Sequence, residues 1–253
     1  MIEGIDVSKW QKKMDWPKAE AAGAKFAFIR AGSINIYGVP YTDYQFDTNA
    51  RIAPDHMPVG AYWYFRPQFD AAAQAEYFCN LIKDKPFKLP PVLDLENSGG
   101  ENAAEITLAA KIFITEVYTR LNRWALLYSR ALWLNLNTEP DAVWEFVDGL
   151  WVARYKSSLT GPWSDGYAVP RDFDEWLFWQ YSAGGNGRGP EFGAQSKSID
   201  LNRFNGDQAA FDNYIGVPEP PPTTGLPDVA GVKINIEYPK GVDVKYQGQA
   251  KKV

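Results

Sequence analysis

Asp94 and Glu96, in the run Leu89-Pro-Pro-Val-Leu-Asp-Leu-Glu96, are two acids two residues apart in an otherwise apolar stretch. On a strand they share one face with Val92, while Leu93 and Leu95 point the other way. Apolar strands covered on both sides belong to parallel α/β sheets and barrels, where an acid at the carboxyl end is costly unless chemistry or a partner requires it. One such acid is most simply a helix cap or the partner of a buried arginine. Two on one face, followed by Asn97-Ser-Gly-Gly100 and a long helical segment, point to an active centre. Close carboxylates do not both ionise easily, so one keeps its proton as a general acid while the other stays charged. Glycoside hydrolysis uses that division of labour.

The elements that would position this pair recur along the chain. About eight short apolar runs read as strands: Ile2–Val7, Phe26–Ala31, Pro58–Phe65, Pro91–Glu96, Trp124–Ser129, Gly149–Ala153, Leu177–Tyr181 and Ser198–Phe204. Helical periodicity or helix-start signals separate most of them, at Trp16–Ala22, Asp43–Ile52, Ala71–Lys83 and Ala103–Asn122. Within the last of these, Leu108, Ile112, Thr115 and Thr119 sit about one turn apart. Ala131–Leu136 and Asp141–Val147 also read as helical, whereas Lys156–Arg171, rich in Gly, Pro and Ser, reads as a loop. The alternation predicts an α/β fold, an irregular TIM-like (β/α) barrel with about eight strands. Closure sets the first and last strands side by side, so Asp6, Asp94, Glu96 and Asp200 share the carboxyl-terminal mouth.

Composition narrows the function classes. A net charge of −5 over 253 residues argues against nucleic acid as the principal partner. The 10 Trp and 14 Tyr fill a large core by default, and any surplus suits sugar binding, because aromatic rings stack on the apolar faces of pyranoses. The single cysteine, Cys79, lies in the apolar pattern Ala75, Phe78, Cys79, Ile82 and reads as a core residue. His56 is the only histidine, so a histidine-rich metal centre is excluded, and no metal or cofactor is expected. The amino terminus enters a strand at once, with no basic stretch followed by an apolar run. Neither a secretory signal nor a membrane span is therefore expected. After residue 216 the composition shifts to the Pro-rich linker 217–225. Residues 226–253 then hold two strand-like pieces, Val232–Tyr238 and Val242–Tyr246. Such a hairpin is marginal alone, and three roles are open to it: packing on the barrel, beginning a wall-binding module, or joining the protomers of an oligomer.

Six motifs, in order, resemble the family 25 glycoside hydrolases: Ile5-Asp-Val-Ser-Lys-Trp-Gln11, Val59-Gly-Ala-Tyr-Trp-Tyr-Phe65, Val92-Leu-Asp-Leu-Glu96, Leu150-Trp-Val-Ala153, Phe178-Trp-Gln-Tyr-Ser182 and Ile199-Asp-Leu-Asn-Arg-Phe204. These are lysozymes of fungal, bacterial and phage origin, and the resemblance covers roughly residues 1 to 216. It implies a catalytic barrel that cuts the β-1,4 bond between N-acetylmuramic acid and N-acetylglucosamine of peptidoglycan with retention. Glu96 matches the general acid. Asp94 matches the neighbouring carboxylate, which either assists the substrate's 2-acetamido group or attacks directly. Asp6 and Asp200 match flanking acids that hold the hydrogen-bond network, face the developing positive charge and raise the proton affinity of Glu96.

Strand alternation puts Tyr62 and Tyr64 in the mouth and Trp63 and Phe65 under the helices. Trp63 departs from the histidine common in the family. Arg30 stands where a lysine is often found, placed to serve the acidic cluster or the wall's peptide carboxylates. Tyr128, Trp151 and Trp179 end later strands as candidate sugar contacts, with core packing the alternative for each. A chitinase-like hydrolase, a metal-dependent phosphodiesterase and a non-catalytic wall-binding module are the competing readings. The first lacks its longer acidic motif here, and the second lacks histidines. A lysozyme without a leader fits a phage or prophage lysin made in the host cytoplasm, or a component of a phage particle.

Overall fold

A computed structural model describes residues 1–155 and 169–216. Nine strands are formed among them: β1 (Ile2–Val7), β2 (Ala27–Ile34), β3 (Pro40–Thr42), β4 (Val59–Tyr64), β5 (Val92–Asp94), β6 (Ala125–Ser129), β7 (Val147–Ala153), β8 (Phe178–Ser182) and β9 (Asp200–Phe204). The helices are α1 (Trp16–Ala21), α2 (Phe46–Ile52), α3 (Ala71–Ile82), α4 (Ala103–Leu121), α5 (Ala131–Asn137) and α6 (Gln208–Gly216). The strand order β1-β9-β8-β7-β6-β5-β4-β2, with β2 returning to pair with β1, closes an eight-stranded barrel. All eight expected strands are present. β3, too short to show alternation, adds an antiparallel flap to β2.

The barrel's irregularity lies in β9, which runs antiparallel to both β8 and β1. A strand that descends from the mouth presents its first residue there, so Asp200 sits opposite Asp6 in register. Were β9 parallel to its neighbours, the same sequence would put Asp200 at the far end.

Two apolar layers follow from strand alternation. Phe28, Val92, Leu126, Trp151 and Phe178 fill the barrel, while Val7, Ile29, Trp63, Phe65, Leu93 and Leu95 pack outward against the helices. Phe65 and Phe78 meet Phe113 of α4, with ring centroids 5.2 and 5.9 Å away. Each fully buried ring contributes roughly 1.5–3 kcal/mol relative to an exposed one. Cys79 is buried in the outer layer, as its helical spacing predicts. α6 closes the floor, Phe211 contacting Phe26 and Phe204 at 5.7 and 5.1 Å.

At three places the local structure departs from the pattern of the sequence. The buried stripe of α4 is Ile106, Ala110, Phe113 and Val117, whereas Leu108, Ile112 and Thr115 are half-buried and Thr119 is exposed. The two stripes are offset by two residues, about 200° around a helix, and the stripe bearing Phe113 buries more apolar area. Asp141–Val147 is not helical: Asp141 and Phe146 adopt φ of 58° and 60°, and β7 begins at Val147. Phe146 instead stacks on Tyr118 at 4.3 Å. α2 begins at Phe46 rather than Asp43, because the Asp43 carboxylate is used to accept from the backbone N–H groups of Lys9 and Gln45. Residues 156–168 of the expected loop, the linker and the extension 226–253 lie outside the described residues.

Candidate active site

The four acids converge on the mouth. Asp94 ends β5 with Tyr64 of β4 and Tyr128 of β6 beside it in register, and Glu96 follows two residues on. Asp6 and Asp94 are each 5% exposed, whereas Glu96 and Asp200 are half-buried. Asp6 is held by two carboxamides: its Oδ2 accepts from Gln180 Nε2 and Asn202 Nδ2, both at 2.8 Å. Gln180 is itself fixed, its Oε1 accepting from the hydroxyls of Tyr128 at 2.8 Å and Tyr155 at 3.0 Å. Asn202 Oδ1 accepts from Trp151 Nε1 at 2.8 Å. Asp200 accepts from the backbone N–H of Gly184 at 2.8 Å, on a loop whose φ of +85° at Gly184 suits glycine. Asp94 Oδ1 is buried without a hydrogen-bond partner among the described residues.

This surrounding moves the acids upward. Burial is the first cause at Asp6 and Asp94, followed by a neighbouring carboxylate, Asp200 for Asp6 and Glu96 for Asp94, and both rise well above the usual aspartate range. Burial also raises Glu96, against the opposing pull of Arg130 and then Arg30, with Asp200 adding to the rise. Of the two flanking acids, Asp200 but not Asp6 adds to the rise at Glu96, and desolvation is the larger cause. Burial raises Asp200, partly offset by the Gly184 N–H. The resulting cluster holds protons into the range where an ordinary carboxyl is ionised, and Glu96 is the member of the central pair more open to solvent. A shallow cleft of about 530 Å³ lined by Asp47, Thr48, Arg51 and Lys85 contains none of these acids.

The profile of the glycosyl hydrolases family 25 matches residues 5–189. The chain belongs to family 25. It is 32% identical to Lysozyme M1 of Streptomyces globisporus over 220 residues, covering 82% of this chain and 69% of that one. It is 25% identical to the N,O-diacetylmuramidase of Chalaropsis over 191 residues, 72% of this chain and 88% of that one. Among solved structures, the bacterial lysozyme of Streptomyces coelicolor superimposes with a TM-score of 0.70 at 30% identity, over 85% of this chain and 96% of that one. A family 25 glycosyl hydrolase of Bacillus anthracis gives 0.68 at 28%, over 85% and 93%.

In this family 25 glycoside hydrolase the residues expected to bind substrate divide by depth. Tyr62 and Tyr64 are half-buried on the mouth side of β4, while Trp63 turns outward and donates to Gln74 Oε1 at 3.0 Å. The Tyr64 ring lies beneath two guanidiniums, Arg30 at 4.9 Å and Arg66 at 5.7 Å. Arg30 also donates to the Tyr41 hydroxyl at 3.2 Å. Tyr128 and Trp151 are 6% and 1% exposed, forming the wall and floor beneath the acids, and Trp151 stacks on Phe28 at 4.4 Å. Trp179 is placed elsewhere: its neighbour Gln180 takes the inward position, so Trp179 is buried in the outer layer and donates to the Arg154 carbonyl. A sugar in the mouth cannot reach it.

Gln180, Asn202, Tyr155 and Arg130 were not singled out from the sequence. Alternation from Asp200 would have marked Asn202, and Gln180 sits inside the motif Phe178–Ser182. Tyr155 and Arg130 lie past strand ends, where period-two reasoning stops. Among the described residues, no cluster of three or more His, Cys, Asp or Glu is placed to hold a metal ion, and no helix is long and apolar enough to cross a membrane.

Proposed function

We propose that this enzyme cleaves the β-1,4 bond between N-acetylmuramic acid and N-acetylglucosamine in bacterial peptidoglycan with retention, Glu96 acting as the general acid. The observation that carries the reading is the Asp94/Glu96 pair at the mouth, one acid buried and one half-buried, both with raised proton affinity. Glu96, the more accessible, gives its proton to the departing glycosidic oxygen and then removes one from the incoming water. Asp94 faces the positive charge that develops at the sugar, either orienting the 2-acetamido group as nucleophile or attacking itself. Asp6 and Asp200, anchored by Gln180, Asn202 and Gly184, fix the negative field around it. Tyr62, Tyr64 and Arg30 supply the rings and charge that orient the substrate.

Purified peptidoglycan digested by the native protein should release muropeptides ending in reducing N-acetylmuramic acid, identified by mass spectrometry. Glu96→Gln should lower that rate by about 10²–10⁴-fold, the range for loss of a general acid. Release from chitin but not from peptidoglycan would replace this reading with the chitinase-like one. A phage or prophage source is tested by the coding sequence's neighbours: phage lysis or structural genes support it, and their absence overturns it.

A further inference from the structure

Trp16, Trp63, Trp151 and Trp179 are fully buried, but Trp10 is 67% exposed and Tyr44 is 86% exposed. Large aromatic side chains left in water on a fixed backbone mark contact surfaces. The backbone here is fixed. Ser8 caps the short turn Lys9–Gln11, its Oγ accepting from Trp10 N at 3.2 Å while Gln11 Oε1 accepts from Ser8 N at 2.8 Å. The buried Asp43 carboxylate joins the two loops, accepting from Lys9 N at 3.1 Å and Gln45 N at 2.9 Å. The Lys9 ammonium lies 5.0 Å from the Trp10 ring centroid and 6.0 Å from that of Tyr44, so one cation is shared by two exposed rings.

This patch adjoins the acids. Trp10 follows Asp6 by four residues on the loop leaving β1. The N–H of Asp43 donates to the Ala31 carbonyl, one residue past Arg30, and Arg30 lies within the fields of both Asp94 and Asp43. The patch is thus tied to the same two strands, β1 and β2, that carry Asp6 and Arg30.

We propose that Trp10 and Tyr44, with Lys9 between them, form a secondary sugar-binding platform that holds a ring of the same glycan strand away from the bond being cut. The rings stack on the apolar face of a pyranose, and the ammonium donates to a hydroxyl or acetamido oxygen. The identity of the polymer rests on the peptidoglycan reading above.

The test uses catalytically silent Glu96→Gln protein and insoluble peptidoglycan. Adding Trp10→Ala should weaken binding about tenfold and Tyr44→Ala about threefold, as expected for the loss of one stacking ring. In otherwise native enzyme, Trp10→Ala should lower kcat/KM for long strands relative to that for a tetrasaccharide by a similar factor. Tyr37→Ala, 83% exposed on the neighbouring hairpin, should leave that ratio unchanged. Unaltered wall binding, an equal loss on both substrate lengths, or the same effect from Tyr37→Ala would overturn the platform. Native protein that cuts no wall, alongside Trp10-dependent binding of Glu96→Gln, would refute the hydrolase reading and leave the platform standing.

Discussion

At Asp94 a buried oxygen without a donor coincides with a proton affinity raised by burial and by Glu96. The native state therefore holds this proton to higher pH than the unfolded chain, in which an aspartate titrates near pH ~3.9. The stabilisation that results is complete below the unfolded value and is lost as pH rises through the folded one. Asparagine has nothing to ionise and escapes that loss. Asp94→Asn should thus raise the melting temperature more at pH 7 than at pH 4, while turnover collapses. Equal shifts at both pH values, by calorimetry, would show that the fold does not raise the proton affinity of Asp94. A group that destabilises the neutral-pH fold yet occupies the reaction centre is what a site tuned for acid chemistry demands.

Gln180 shows how strands cooperate to hold one charge. Its amide on β8 reaches Asp6 on β1, Tyr128 on β6, Tyr155 beyond β7 and, at 3.4 Å, Asp200 on β9. Gln180→Ala strips Asp6 of one of its two donors and removes the acceptor for both tyrosine hydroxyls. Each buried polar group left unpaired costs roughly 1–3 kcal/mol. Urea unfolding should show a loss of about 2 kcal/mol or more, and kcat should fall with a smaller change in KM, because the ring of acids loosens while the sugar contacts of β4 remain. Loss confined to KM would place Gln180 in substrate binding rather than in holding the acids.

Over the whole molecule, chemistry and stability occupy opposite ends of one barrel. The mouth carries the acids, while the floor is sealed by Phe211 and Tyr214 of α6 against Phe26, Phe178 and Phe204. Phe211→Ala opens a cavity that the closed sheet cannot collapse to fill, at a cost of about 3–5 kcal/mol. The melting temperature should drop, while kcat well below it stays near the native value. A comparable fall in kcat at low temperature would show that the floor transmits strain to the mouth.

The sequence by itself determined the eight barrel strands, the inward face of β5 and the strand-end acids Asp6, Asp94 and Glu96, because period-two alternation and strand-end carboxylates are local signals, whereas the place of Asp200 at the mouth depends on the direction of β9. It also put Tyr62 and Tyr64 inward and Trp63 outward for the same reason. Tertiary structure alone decided the direction of β9, which follows from how the closing strand pairs with β1 and β8 and is invisible in its own residues. It turned α4 onto the face bearing Phe113 and ended the expected Asp141–Val147 helix by stacking Phe146 on Tyr118, since long-range burial outweighs local propensity. It also buried Trp179 outside the barrel and gave the inward position to Gln180, because the register of β8 against β7 and β9 fixes which neighbour faces the acids.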